Sequence, residues 1–216
     1  MKFAMSYSCG KDSTLAFHKM IEAGHEPVAL IVMINEAVDR SYFHGADYKM
    51  LRQYEKALHL PLLLTPTTGE AYHRAMEESL KRAIEMGAEA ICFGDIDIED
   101  NRAWSEARCA NVGVKAVFPL WNRSREENVH ELVALGYKCL MKSINNTLLP
   151  KEFLGQIMDE KIIDKMKYYG IDICGENGEY HTLVMDGPVF QHPISYRTGE
   201  VLDFGAYSVV DVTVEE

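Results

Sequence analysis

Short apolar stretches alternate with amphipathic ones from the N-terminus as far as Pro119. The run PVALIVMI at residues 27–34 is apolar throughout, which is typical of a strand covered on both faces of a parallel sheet. The same criteria predict further strands at residues 2–7, 62–65, 90–93 and 115–118, and helices at 12–23, 47–59, 70–86 and 99–112. This order predicts an α/β fold built on a doubly wound parallel sheet.

The pattern changes after Pro119. Helical periodicity returns at residues 125–135 and 159–169, a strand is predicted at 138–142, and residues 145–150 form a polar loop. Residues 182–214 contain strand-like runs that Gly and Pro interrupt. We therefore predict a first domain at residues 1–121 and a smaller α+β portion at 122–216.

Composition and charge narrow the setting. The chain has 216 residues and a formal net charge of -11, which argues against an extended nucleic-acid or anionic-membrane surface. Neither a signal peptide nor an apolar run of membrane-spanning length is evident. The five Cys form no CxxC pair, so we predict reduced thiols and a cytoplasmic location. The eight His show no zinc-binding spacing, so we predict no zinc site. A homodimer is a further expectation.

The first candidate site is the stretch SCGKDS at residues 8–13, between a predicted strand and a predicted helix. It departs from the Walker pattern, since Met5 stands where the first Gly belongs and Asp12 follows the Lys. A helix N-terminus nevertheless offers unpaired N–H groups to a phosphate, and Gly10 permits close approach. Lys11 adds a charge, Asp12 caps the helix or holds Mg²⁺, and hydroxyls come from Ser8 and Ser13. An ordinary capped turn is the alternative interpretation.

The second candidate site is CGENGEYHT at residues 174–182, followed by LVMDGP. Gly175 and Gly178 place Glu176 and Glu179 on a tight turn. Two carboxylates so close together repel each other unless a cation or a donor lies between them. A solvated surface turn is the alternative here.

These two motifs carry a resemblance that covers most of the chain. The stretch SxGKDS resembles the pyrophosphate-binding loop (PP-loop) of the ATP pyrophosphatases, or adenine-nucleotide alpha hydrolases, of the HUP class. The second motif resembles the GEGGEYET…DGP motif of the diphthine–ammonia ligases and their relatives. The resemblance implies an ATP-dependent ligase that adenylates a carboxylate, releases pyrophosphate and forms an amide with ammonia. ATP and Mg²⁺ are the implied cofactors, and the family's named acceptor is diphthine, a trimethylammonium-bearing His of elongation factor 2.

The resemblance also implies roles for particular residues. We expect the catalytic groups to be Lys11, Asp12, Glu176 and Glu179. The expected nucleotide-binding residues are Ser8, Cys9, Gly10, Lys11, Asp12, Ser13, Asn35, Gly94 and Asp95, the last two because they directly follow a predicted strand. The expected acceptor-binding residues are Arg102, Glu176, Asn177, Gly178, Glu179 and Tyr180, all within the portion at 122–216 except Arg102. Cys9, Asn177 and His181 depart from the residues common in these motifs, and the departure at Cys9 is mild unless that backbone requires a positive φ.

Two other functions stay open at this stage. A tRNA-thiolating PP-loop enzyme also adenylates its substrate, but it requires reactive Cys residues and a basic face. A nucleotide-binding sensor requires neither chemistry nor the acidic loop. Cys9 and Cys174 are the candidate pair of thiols, but the net charge of -11 argues against tRNA as a partner.

Overall fold

The computed structural model describes residues 1–215, and its first half forms a largely parallel sheet. The strands are β1 (Lys2–Ser6), β2 (Glu26–Asn35), β3 (Arg40–Ser41), β4 (Leu62–Thr67), β5 (Ala90–Cys92) and β6 (Lys115–Val117), and the helices between them are α1 (Lys11–Glu22), α2 (Tyr48–Leu58), α3 (Tyr72–Glu85) and α4 (Glu99–Val112). The parallel order is β4-β2-β1-β5-β6, and the two-residue β3, which the sequence did not predict, pairs antiparallel with the end of β2.

Helices cover both faces of this sheet, as the sequence predicts. Leu15 of α1 and Leu51 of α2 belong to one buried cluster, whereas Leu80 of α3 and Cys109 of α4 belong to another. Successive residues of β2 alternate between the two clusters, because neighbouring side chains of a strand point to opposite faces. This explains why β2 is apolar at nearly every position and confirms the doubly wound α/β fold.

The order of the strands creates a crevice beside β1. The chain passes from β1 to β2 on one side and later returns to place β5 on the other side. The loops that follow β1 and β5 therefore diverge to opposite faces, and ligands of such sheets bind in the gap between them. Residues 7–10 and 93–98 occupy these two loops.

The second half forms an antiparallel sheet in the order β8-β7-β10-β9. Its elements are α5 (Arg125–Ala134), β7 (Lys138–Asn145), a 3-10 helix (Lys151–Phe153), α6 (Glu160–Tyr168), β8 (Tyr180–Asp186), β9 (Tyr196–Asp203) and β10 (Tyr207–Val214). Strand β7 continues three residues beyond its predicted end into the predicted polar loop, and the 3-10 helix was not predicted. No helix within residues 1–215 has the length and apolar character needed to cross a bilayer.

The two sheets share one buried cluster. It contains Phe17 of α1 and Val129 of α5 together with Leu183 and Val184 of β8. The second portion therefore packs directly against the α1 face of the first sheet. The division at residues 121 and 122 stays a prediction.

Two hydrogen bonds connect the start of α1 to β8 across this interface, and a third connects His44 to the same strand. The Val184 amide donates to the Cys9 carbonyl at 2.9 Å, and the Lys11 amide donates to Thr182 Oγ1 at 3.1 Å. The Thr182 carbonyl accepts from Nδ1 of His44 at 2.6 Å. These bonds satisfy buried backbone groups that no helix or strand partner reaches, and they hold the first candidate loop against the second portion.

We expect the Thr182→Val substitution to lower the free energy of unfolding by about 1–3 kcal/mol, because the buried Lys11 N–H loses its acceptor. Urea denaturation measures this change. Thr182→Ser keeps the hydroxyl and serves as the control, with a smaller loss from the deleted methyl group. Equal destabilisation by Val and Ser would contradict a role for the hydroxyl.

Candidate active site

A cavity of about 550 Å³ lies at the carboxyl ends of β1 and β5. Both portions of the chain contribute to its wall. From the first portion come Ser6, Ser8, Lys11, Asp12, Ser13, Phe43, His44, Tyr72, Met76, Phe93, Gly94, Asp95, Ile98, Asn101, Trp104 and Ser105, and from the second Gly175, Glu176, Gly178, Tyr180, His181 and Thr182. The two sequence motifs, more than 160 residues apart in the chain, thus line one cavity.

The loop between β1 and α1 presents polar groups to this cavity. The hydroxyls of Ser8 and Ser13 lie 3.0 Å apart, and Gly10 occupies the N-cap of α1 without a capping side chain. Asp12 and Ser13 belong to the first helical turn, whose N–H groups lack intrahelical partners. The helix dipole adds positive potential at the same end, so the loop offers an anion both donors and a favourable field.

Lys11 brings a buried positive charge to the cavity. Its ammonium lies 2.6 Å from a carboxylate oxygen of Asp12 and 5.5 Å from the ring centre of Tyr180. Burial by itself lowers the pKa of Lys11. The nearby acidic groups, Asp12 above all and also Glu176, raise it by more than burial lowers it, so the net pKa lies well above the usual value. The side chain is therefore a permanent cation.

Asp12, Cys174 and Glu176 form a compact group beside that cation. One ligand atom from each lies within 4.8 Å of the others, and Sγ of Cys174 is 3.8 Å from Oδ1 of Asp12. Burial and the adjacent Asp12 charge raise the pKa of Glu176 to about 7. Two partly buried carboxyl groups this close together form a site that favours a cation, and their oxygen atoms suit Mg²⁺ better than the thiol does.

The loop after β5 approaches α1 so closely that it requires a glycine. A Cβ atom at Gly94 would lie 2.9 Å from the Ser13 amide nitrogen and 3.0 Å from the Asp12 carbonyl carbon. Asp95 follows, 3.5 Å from the hydroxyl of Ser105, and burial raises its pKa to about 6. Gly94 and Asp95 thus line the cavity at the carboxyl end of β5.

Two histidines that the sequence did not single out as site residues complete the wall. Because the Thr182 carbonyl can only accept, Nδ1 of His44 carries the proton, and burial together with His181 lowers the pKa of His44 to about 3. Burial also lowers the pKa of His181, whose ring centre is 5.0 Å from that of His44. Both rings are therefore neutral, and no sequence spacing connects residues 44 and 181.

His44 also explains the glycine at the centre of the loop. A Cβ atom at Gly10 would lie 2.2 Å from Cε1 of His44, so any larger residue would displace the imidazole. Gly10 thus provides space for this ring beside the loop.

Six of the predicted site residues do not line this cavity: Cys9, Gly10, Asn35, Arg102, Asn177 and Glu179. Glu179 is only 4% exposed, and its carboxylate accepts from the backbone and side-chain nitrogens of Asn177 at 2.9 and 3.1 Å. Arg102 pairs with Glu106 and stacks over the ring of Trp121. Asn35 lines a second, adjoining cavity. Of the two motif carboxylates, only Glu176 lines this cavity.

Comparison with known proteins agrees with this geometry. The family model described as the diphthamide synthase N-terminal domain matches residues 1–116, and the model of the C-terminal domain matches residues 124–213. The chain belongs to the diphthamide synthase family. All of the first candidate loop and all of the second lie within the matched ranges.

Individual members of the family are distant in sequence. A diphthine–ammonia ligase from Bos taurus is 25% identical to this chain over 95% of the chain and 86% of its own length. The ligase from Homo sapiens is also 25% identical, over 94% of this chain and 85% of its own length. The enzyme from Schizosaccharomyces pombe is 26% identical over the whole chain, which spans 39% of that longer protein. A solved structure, described as a predicted subunit of a tRNA methyltransferase from Methanocaldococcus jannaschii, covers 90% of this chain and 100% of its own length at 16% identity with a TM-score of 0.46. That likeness is too weak to add to the argument.

Within residues 8–13 of this family member, Cys9 is the one residue with a strained backbone. Its φ is 69°, in the left-handed region, where a Cβ atom costs roughly 1–2 kcal/mol and Gly costs little. The Gly common at this position in PP-loops therefore has a conformational reason. The Cys9 side chain is fully buried and does not line the cavity.

The raised pKa of Glu176 predicts a pH-dependent stability difference. In the folded state the carboxyl group titrates near 7, whereas 4.5 is its ordinary value, so the stability that it contributes is lost as pH rises through that interval. Without divalent cations, Glu176→Gln should therefore raise Tm relative to wild type at about pH 8 and change it little at about pH 4. Scanning calorimetry measures both.

The matched control is Glu179→Gln in the same turn. Its carboxylate already accepts two hydrogen bonds from Asn177, and the amide presents an N–H group to one of those donors. Tm should fall at about pH 8 in this variant. A Glu176→Gln protein that is equally destabilised at both pH values would contradict the burial of an unfavourable charge.

Proposed function

We propose that this chain is an ATP-dependent ligase that adenylates a carboxylate, releases pyrophosphate and then forms an amide with ammonia. The observation that carries the proposal is the meeting of the loop at residues 8–13 with Glu176 in one cavity. Membership of the diphthamide synthase family supports the same reaction class, since its curated members are named diphthine–ammonia ligases.

The loop after β1 suits the polyphosphate of ATP. The N-terminus of α1, the hydroxyls of Ser8 and Ser13 and the ammonium of Lys11 supply donors and positive charge on one side of the cavity. In the reaction, a carboxylate oxygen of the acceptor attacks the α-phosphorus, and the bond to the β-phosphate oxygen breaks. Negative charge accumulates on the departing pyrophosphate, where Lys11 stabilises it.

A divalent cation fits the remaining charges. Asp12, Asp95 and Glu176 provide three carboxyl groups in a cavity with a single ammonium, which would repel a bare triphosphate. Asp12 and Glu176 would hold Mg²⁺ through their oxygen atoms. The ion supplies charge neutralisation for the phosphates when it is bound.

The second half of the reaction completes the amide. Ammonia attacks the acyl carbon of the adenylate, AMP departs with the electrons of the acyl–oxygen bond, and the attacking nitrogen loses a proton. Diphthine on elongation factor 2 is the proposed acceptor, in line with the names of the curated relatives. We also propose a cytoplasmic location, with which the five free, buried cysteines agree, since they suit a reducing compartment. A homodimer is the proposed assembly.

The thiol positions argue against a tRNA-thiolating enzyme. Neither Cys9 nor Cys174 lines the cavity, and burial raises the pKa of both thiols, which disfavours the reactive thiolate. A sensor without chemistry does not require Glu176 to face the phosphates. The ligase is therefore the function that the site supports best.

The products formed from ATP test the proposal. With ammonia, Mg²⁺ and diphthine-bearing elongation factor 2, we expect AMP, pyrophosphate and an amide, measured by ³¹P NMR and by mass spectrometry of the acceptor. Accumulation of ADP and phosphate would place attack on the γ-phosphate and refute the proposal. Lys11→Ala should lower kcat by about 10²–10³-fold through lost charge stabilisation, whereas Lys115→Ala, an exposed cation on β6, should not.

The metal dependence of ATP binding tests the two motif carboxylates separately. In calorimetric titrations with Mg²⁺, Glu176→Gln should weaken ATP affinity on the order of tenfold or more. With EDTA the same variant should bind ATP at least as well as wild type, because one repelling charge is gone. Glu179→Gln, whose side chain faces Asn177, should show no such metal-dependent loss. The opposite pattern would place the cation at Glu179.

A further inference from the structure

A second cavity, of about 710 Å³, adjoins the nucleotide crevice. Phe43, His44, Gly178, Tyr180 and His181 line both cavities and form their common wall. A molecule in the second cavity would therefore lie directly across this wall from a nucleotide in the first. The reaction proposed above requires such a neighbour, since the acceptor must reach the α-phosphate.

The charges of the two cavities differ in sign. Carboxyl groups outnumber ammonium groups in the first, whereas the second is lined by the cations Arg40 and Lys142 with one carboxylate, Asp211. Within residues 1–215, neither cation is paired with a carboxylate: Arg40 donates to the Gly45 carbonyl, and Lys142 donates to the Val210 carbonyl. An excess of positive charge in one cavity of a chain with a net charge of -11 indicates an anionic ligand.

Lys142 is placed at this position by an irregularity of β7. Met141 pairs with Thr182 and Ser143 pairs with His181, so Lys142 lies at the shift in register opposite the common wall. The residue is only 3% exposed. Burial and the nearby charge of Arg40 lower the pKa of Lys142 to about 8, with weaker opposing effects of Asp211 and Asp47. This is the behaviour of a buried ammonium without an anionic partner.

Aromatic side chains surround the entrance to the second cavity. Phe43, Phe204 and Tyr207 are 69%, 55% and 49% exposed, and the last two stack with ring centres 5.1 Å apart. Large apolar side chains exposed beside a charged cavity mark a binding site for a molecule with both characters. The cavity thus combines a buried cation, Lys142, with exposed apolar rings.

We propose that the second cavity is the acceptor site, in which Arg40 and Lys142 bind the carboxylate that is to be adenylated. The exposed rings of Phe43, Phe204 and Tyr207 contact the less polar part of the acceptor. This inference rests on the proposed ligase function and changes one expectation from the sequence: the acceptor carboxylate is held by cations of β3 and β7, while Glu176 serves the nucleotide side.

A simple aryl carboxylate tests the site without any chemistry. The probe is 3-phenylpropanoate, and its neutral counterpart is 3-phenylpropanamide, both titrated by NMR into protein without nucleotide and into protein saturated with AMP. We expect the carboxylate to bind at least about tenfold more tightly than the amide. Arg40→Gln and Lys142→Met should each abolish most of that preference. Arg52→Gln, an exposed cation on α2 outside both cavities, should leave it unchanged.

Three results would overturn the proposal. The first is that wild-type protein does not bind 3-phenylpropanoate. The second is that Arg40→Gln protein still prefers the carboxylate to the amide. The third is that AMP displaces 3-phenylpropanoate, which would place the probe in the first cavity. Unfolding temperatures of all variants are measured in parallel, and Arg40→Gln provides the decisive case if the buried Lys142→Met change prevents folding. The formation of AMP and pyrophosphate is scored separately, so failure of the acceptor site and failure of the ligase function are distinguishable.

Discussion

The hydrogen bonds between the start of α1 and strand β8 are the contact on which the site depends. Cys9 and Lys11 have backbone groups that are buried at a helix N-terminus, and Val184 and Thr182 supply their partners. Because unpaired buried backbone groups are costly, this pairing fixes the second sheet against the phosphate loop. Glu176, which precedes β8, is thereby carried into the crevice formed by the first sheet.

Electrostatics then divides the site into two parts. Asp12, Asp95 and Glu176 make the nucleotide side acidic, which a phosphate-binding protein tolerates only with a cation between the like charges. Arg40 and Lys142 make the adjoining cavity basic. The proposed reaction joins two anions, a carboxylate and a polyphosphate, and the opposite charge of the two cavities suits that pairing.

Close approaches between backbone and side chains give the crevice its shape. Gly10 accommodates the His44 ring, and Gly94 brings the loop after β5 against the first turn of α1. His44 in turn donates to the carbonyl of Thr182, so the ring that Gly10 accommodates also contacts β8. The phosphate loop, the β5 loop and the second sheet are therefore mutually constrained, and movement of one would disturb the other two.

The sequence by itself determined the doubly wound fold and the two motifs, because these depend on local properties. The unbroken apolar character of β2 reports burial on both faces, and glycines beside Lys11 and Glu176 report turns whose residues are close in the chain. Gly94 and Asp95 were also predictable, since the end of a parallel strand marks the ligand edge of its sheet.

Only the tertiary structure decided which way individual side chains face and which distant residues meet. Glu176 and Glu179 are three residues apart and alike in type, yet one lines the crevice and the other bonds to Asn177, because the turn at Gly178 reverses the backbone between them. The positive φ of Cys9, the contact between His44 and Gly10, and the nearness of Arg40 to Lys142 arise from packing between segments far apart in sequence. No local pattern encodes such contacts, because their energies depend on the whole arrangement of both sheets.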